Sequence, residues 1–250
     1  MFHNVSIIGH RGCAVEQPEN TLEAIEGVSR IVDAVEIDVR RCGSGELVAF
    51  HDETLERATG ASGRVSDHSI DALRELNVGN SGATIPTIPE MVEATPSAVG
   101  LIFDVKESGL VADLLSCLEG REGRVMISAF DRRVLEETRR LDEDIRLAHI
   151  VTESRPNRTL RPIIPGLPRS LYAPENTVAM VETAIDLGCE AIHPRYELCL
   201  QTDLVEQAHD RDLQVNAWTV CNVREGRALA RAGVDGLIAD VCEGLVEQRP

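Results

Sequence analysis

With 250 residues, the chain has the length of one large domain or of two small ones, enough to bury a sizeable core. A formal net charge of −17 argues against nucleic acid and anionic membrane surfaces as partners, because phosphate backbones need a basic footprint. The 25 basic residues are 24 arginines and Lys106, a bias that together with the acidic surplus resembles salt-adapted proteins and marks Lys106 as a position where arginine would not serve.

The first β-branched run, Val5–Gly9, follows Met1-Phe2-His3-Asn4 with no basic segment or long apolar stretch before it. No signal peptide and a cytoplasmic location are therefore expected. Later runs predict strands at Ala34–Val39, Gly100–Val105, Val125–Ser128, Ile145–Ile150, Ala191–Pro194, Gln214–Thr219 and Gly236–Ala239. Helical spacing is read at Thr21–Ile31, Ile88–Ala94, Leu110–Leu118, Arg132–Leu141, Val178–Leu187, Asp203–Arg211 and Val223–Ala232. Eight strands alternating with helices predict an α/β fold, a TIM (β/α)8 barrel in one domain spanning 1–250. An open doubly wound sheet ranks second, since no G-x-G-x-x-G follows the first strand.

Two stretches fall outside the repeat. Glu46–Phe50 reads as an extra strand, followed by a polar, Gly-rich insertion at 52–86 with a short helix at Ile70–Leu76. Residues 153–172 carry Pro156, Pro162, Pro165 and Pro168 and read as a loop across the same face. The seven cysteines have no zinc-ligand spacing and read as small hydrophobes in a reducing compartment. Every apolar run is broken by charge well before the roughly 20 residues of a membrane span, so no stable membrane association is expected.

In Ala34–Val39 the side chains alternate, so Glu36 and Asp38 share the face opposite Val35, Ile37 and Val39. The apolar set must meet helices, which turns both carboxylates into the barrel. In Gly100–Val105 and the residue after it, Asp104 and Lys106 project the same way. Such a buried acidic cluster needs a compensating cation, and an all-oxygen set suits Mg2+ or Ca2+. A salt-bridge network without metal is the plain alternative. His10 and Arg11 end the first strand, and His51 and Asp52 follow the Leu47–Phe50 run. Two strand-end imidazoles beside carboxylates suit acid–base chemistry. Asn20 with Glu23 reads as a helix cap, and so does Asn176. Trp218 and Phe130 stand at strand ends as candidate pocket walls, and His193 is a third rim histidine.

In order, His10-Arg11-Gly12, Pro18-Glu19-Asn20-Thr21, Glu36-x-Asp38, His51-Asp52, Asp104-x-Lys106, Trp218-Thr219-Val220 and Gly233-Val234-Asp235-Gly236 resemble the glycerophosphodiester phosphodiesterase family from Ile8 to about Asp240. The resemblance implies a TIM barrel that cleaves a small-molecule glycerophosphodiester to glycerol phosphate and an alcohol. It implies Glu36, Asp38 and Asp104 as metal ligands, His10 and His51 as the acid–base pair, and Arg11 and Lys106 on the phosphate. Glu19, Trp218 and His193 are further substrate-contact candidates. By the same analogy the substrate's 2-hydroxyl attacks phosphorus, forming a cyclic phosphate that water opens. The family usually has glutamate where this chain has Asp104, one methylene shorter. Two other readings stand beside it: a phospholipase-D-like lyase that stops at the cyclic phosphate, and a catalytically silent metal- or phosphate-binding barrel.

Overall fold

The β-branched runs form strands whose alternating side chains separate an inner layer from an outer one. A computed structural model describes residues 4–15, 17–79, 81–153 and 176–249. Its strands are β1 (Ser6–His10), β2 (Ala34–Arg41), β3 (Leu47–Ala49), β4 (Gly100–Val105), β5 (Val125–Ala129), β6 (Arg146–Val151), β7 (Ala191–Pro194), β8 (Gln214–Val220) and β9 (Gly236–Ala239). The helices are α1 (Leu22–Val28), α2 (Glu56–Thr59), α3 (Ile70–Arg74), α4 (Ile88–Ala94), α5 (Val111–Cys117), α6 (Arg132–Leu141), α7 (Thr177–Asp186), α8 (Tyr196–Gln201), α9 (Leu204–His209), α10 (Val223–Ala232) and α11 (Cys242–Val246).

All strands except β3 pair in parallel, in the order β1-β9-β8-β7-β6-β5-β4-β2, and β1 pairs back onto β2. The sheet is thus a closed eight-stranded barrel, and the open-sheet alternative falls. Val35, Ile37 and Val39 pack outward with Ile25, Met91 and Leu114 of the surrounding helices. Ile8, Ile102, Met126, Ala148, Ala191 and Ile238 fill the barrel interior. The apolar positions on β2 therefore face the helices, and the same strand turns Glu36 and Asp38 inward.

β3 lies antiparallel on β2 with Val39 opposite Ala49, as an extra strand should. The following stretch builds its own small core from Phe50, Leu55, Val65, Leu73 and Ile85. α4 starts at a capping box in which the Thr87 hydroxyl accepts from Glu90 N–H while the Glu90 carboxylate accepts from Thr87 N–H. α8 and α11 are short helices without an expected counterpart, each too brief to show a helical period. The proline-rich loop expected over 153–172 lies, apart from Glu153, outside the described residues. No helix among the described residues is long and apolar enough to cross a membrane.

The expectation of unpaired cysteines fails for two of the seven: Cys13 and Cys242 are joined in a disulfide, with Cα atoms 6.0 Å apart and a sequence separation of 229, while the other five are free. The bonded pair meets only because β1 and β9 are neighbours in the closed barrel.

Candidate active site

The C-terminal ends of the parallel strands converge on one pocket. Its lining includes His10, Arg11, Glu36, His51, Asp104, Lys106, Phe130, His193 and Trp218. The β2–β4 register puts Asp38 opposite Asp104, and the β1–β2 register puts His10 opposite Glu36. One carboxylate oxygen from each of Glu36, Asp38 and Asp104 falls within 4.8 Å of the others, all buried.

Charge balance around this cluster is local. Lys106 Nζ is 2.6 Å from Asp38 Oδ1 and also pairs with Asp104 Oδ2, while Arg11 Nε is 3.2 Å from Asp38 Oδ2. Burial works against ionising Asp38, but Lys106 and Arg11 outweigh it and hold that carboxyl below the usual range. Burial raises Glu36, and Asp38 beside it raises it further. Asp104 is also raised by burial, with Lys106 opposing. Asp104 Oδ1 is buried with no hydrogen-bond partner, an oxygen that a cation would satisfy. Three converging carboxylates with one spare buried oxygen fit a hard divalent cation, since the cluster found among the described residues consists of carboxylates alone.

The two histidines are built alike. Nδ1 of His10 is 2.7 Å from Asp240 Oδ1, and Nδ1 of His51 is 2.6 Å from Asp52 Oδ1. A carboxylate on Nδ1 holds the proton there and leaves Nε2 for the pocket. Their environments differ: burial lowers His51, whereas for His10 burial is outweighed by Asp240 and Glu36, and its pKa is raised.

The turn after β1 carries much of the precision. Arg11, Gly12 and Cys13 all have positive φ. A Cβ on Gly12 would lie 2.5 Å from that of Ala24 on α1, so only glycine fits. The turn aims the Arg11 amide at Glu36 Oε2, 3.0 Å away. Asn20 departs from expectation. Thr21, not Asn20, caps α1, accepting from Ala24 N–H. Asn20 has φ 57° and clamps Asp38, donating from Nδ2 to Oδ2 at 2.7 Å and accepting from the Asp38 N–H at 3.1 Å. Asn176 does cap its helix, accepting from Ala179 N–H.

Glu19 lies between Arg11 and Arg57, pairing with both. Trp218 donates from Nε1 to His193 O at 2.8 Å and packs edge-on against Phe130, their ring centroids 5.6 Å apart. His193 is fully enclosed and bonded to Asn216, and burial pushes it down to about 3, which keeps it neutral. Three residues now belonging to the site were missed from sequence: Asp240, Asn20 in its clamping role, and Arg57. Asp240 had a usable signal, since it is the acidic residue directly after β9, as Asp52 follows His51.

A closed parallel barrel whose rim gathers an acidic cluster, two carboxylate-backed histidines and two fixed cations defines a hydrolase for an anionic ester. Residues 10–243 match the glycerophosphoryl diester phosphodiesterase family, and the chain belongs to it, an enzyme of the phosphoric diester hydrolase class. A glycerophosphodiester phosphodiesterase of Caldanaerobacter subterraneus subsp. tengcongensis is 27% identical over 247 residues, covering 96% of each chain. The glycerophosphodiester phosphodiesterase of Thermotoga maritima superposes with a TM-score of 0.80 at 24% identity, covering 99% of both chains. An Oleispira antarctica phosphodiesterase, solved with the product sn-glycerol-3-phosphate, does so at 0.80 and 23% identity over 97% of this chain and 95% of that one.

Proposed function

We propose that this protein hydrolyses small glycerophosphodiesters to glycerol phosphate and an alcohol, using His10 and His51 as the acid–base pair and a divalent cation, Mg2+ or Ca2+, held by Glu36, Asp38 and Asp104. The supporting observation is that one pocket is lined at once by both histidines, Glu36, Asp104, Arg11 and Lys106, with Asp38 buried beside the two carboxylates. A bound divalent cation supplies Lewis-acid neutralisation of the phosphoryl oxygens. Arg11 and Lys106 add fixed positive charge where the pentacoordinate transition state concentrates negative charge. With the acidic cluster otherwise compensated, the Lys106 ammonium is free to turn from Asp38 and Asp104 to the phosphate. One imidazole takes the proton of the glycerol 2-hydroxyl, whose oxygen attacks phosphorus. The other protonates the departing alkoxide, leaving a cyclic phosphate, and the roles reverse as water opens the ring. Trp218 and Phe130 wall the pocket, and Glu19 holds Arg11 in place. The Oleispira protein's bound sn-glycerol-3-phosphate agrees with release of a glycerol phosphate.

The test is an assay of purified protein on glycerophosphocholine and related diesters, with EDTA and with Mg2+ or Ca2+ restored. Full turnover in EDTA would sink the metal assignment. His10→Ala and His51→Ala should each lose at least about 100-fold in rate, and near-normal turnover by either removes it from the mechanism. Phosphorus NMR separates the hydrolase from the lyase, in which cyclic phosphate persists.

A further inference from the structure

We infer that Arg57, on α2 of the 52–86 stretch, is a positioning residue that sets His51 and Arg11 together by holding Asp52 and Glu19; this rests on the roles proposed above for those two side chains. The Arg57 guanidinium spans two carboxylates with different edges. Its Nε donates to Asp52 Oδ2, and its Nη1 and Nη2 donate to Glu19 Oε2 and Oε1 at 2.8 and 2.6 Å. Asp52 in turn holds His51 Nδ1 at 2.6 Å, and Glu19 Oε1 accepts from Arg11 Nη1 at 3.1 Å. The chain His51–Asp52–Arg57–Glu19–Arg11 thus runs unbroken from a proposed proton-transfer group to a proposed phosphate-binding group.

Electrostatics explains why the middle link must be a cation. Asp52 and Glu19 converge on one point beside an already acidic pocket, and without a shared counter-charge each would repel the other and its neighbours. A planar fork with five donors can serve both carboxylates at fixed angles, which the single ammonium point of lysine cannot. The Arg57 side chain is 51% exposed, so its place in the network is set by these bonds and not by core packing. The 52–86 stretch thereby has a task at the catalytic rim: it delivers the bolt that keeps the two halves of the site in register.

The experiment measures kcat and KM for R57M, R57K, D52N, E19Q and their combinations on glycerophosphocholine, with thermal unfolding of each. R57M is expected to lose about 10- to 100-fold in kcat, as when a working group's outer partner is removed, and to raise KM as well. D52N should reproduce mainly the kcat loss and E19Q mainly the KM rise. In the E19Q/D52N background, R57M should cost less than about twofold more, because the groups it acts through are already neutral. R57K, able to serve one carboxylate, should fall between wild type and R57M. Wild-type kinetics in R57M, or the same fold-loss in both backgrounds, would overturn the inference. Should R57M unfold, R57K carries the same cycle, and its loss must vanish in E19Q/D52N. H51A measured alongside separates the two levels: an active H51A removes the acid–base reading, whereas an inactive H51A with unimpaired R57M removes only the role of Arg57.

Discussion

Each proposed catalytic imidazole needs its outer ring nitrogen held, yet the two carboxylates that do this are placed very differently in the chain. Asp52 is the next residue after His51, whereas Asp240 reaches His10 from 230 residues away. Asp240→Asn would present an amide N–H to Nδ1 and so favour the wrong tautomer. A drop of about 100-fold or more in kcat with little change in KM is expected, and an unchanged kcat would show that His10 does not depend on this bond. His193 has another consequence. Burial pushes it to about 3, and His149 is pushed to about 4 by burial and nearby Arg132, both below the ordinary 6.5. The unfolded chain therefore binds protons that the folded one refuses. The stability these neutral histidines represent is complete above about pH 6.5 and is lost as pH falls toward 4. His193→Gln should flatten the fall of Tm between pH 7 and 5 relative to wild type; an unaltered slope would mean that His193 is not the group responsible.

At the scale of elements, the β1–α1 turn and the β9–α11 turn form one unit. The first follows His10 at the end of β1 and carries Arg11 and Cys13; the second carries Asp240 and leads into Cys242 at the start of α11. The Cys13–Cys242 disulfide therefore links the same two segments that the His10–Asp240 bond joins. Of the seven cysteines, Cys42, Cys117, Cys189, Cys199 and Cys221 are free, so thiol titration under denaturing, non-reducing conditions should find five and, after reduction, seven. Seven before reduction would refute the pairing. Replacing both partners with serine should cost about 2–5 kcal/mol in denaturant unfolding, as expected for a cross-link closing so long a loop. Secondary structure itself was legible. Ile88–Ala94, Arg132–Leu141 and Val223–Ala232 form at the expected residues, because amphipathic spacing and caps are local signals. Asn20 was not: its sequence context suits a cap, and only the close approach of Asp38 recruits its amide elsewhere.

For the whole molecule, a net charge of −17 opposes the compact state through self-repulsion, which salt screens over about 10 Å at 0.1 M and 3 Å at 1 M. Raising KCl from 0.05 to 1 M should therefore increase Tm; a fall would mean that the surface arginine–carboxylate pairs outweigh the repulsion. The barrel could be read from the sequence because alternation along a strand and the strand–helix rhythm are properties of neighbouring residues, and that alternation also turned Glu36, Asp38, Asp104 and Lys106 inward. The family motifs likewise brought His10, His51 and Arg11 into view. What only the tertiary structure decided are pairings between distant segments: Asp240 on His10, Cys242 on Cys13, Asn20 on Asp38 and Arg57 on Glu19. These depend on which strand ends become neighbours when the sheet closes and on where the 52–86 stretch folds back, and no local pattern of side chains encodes distances of that kind.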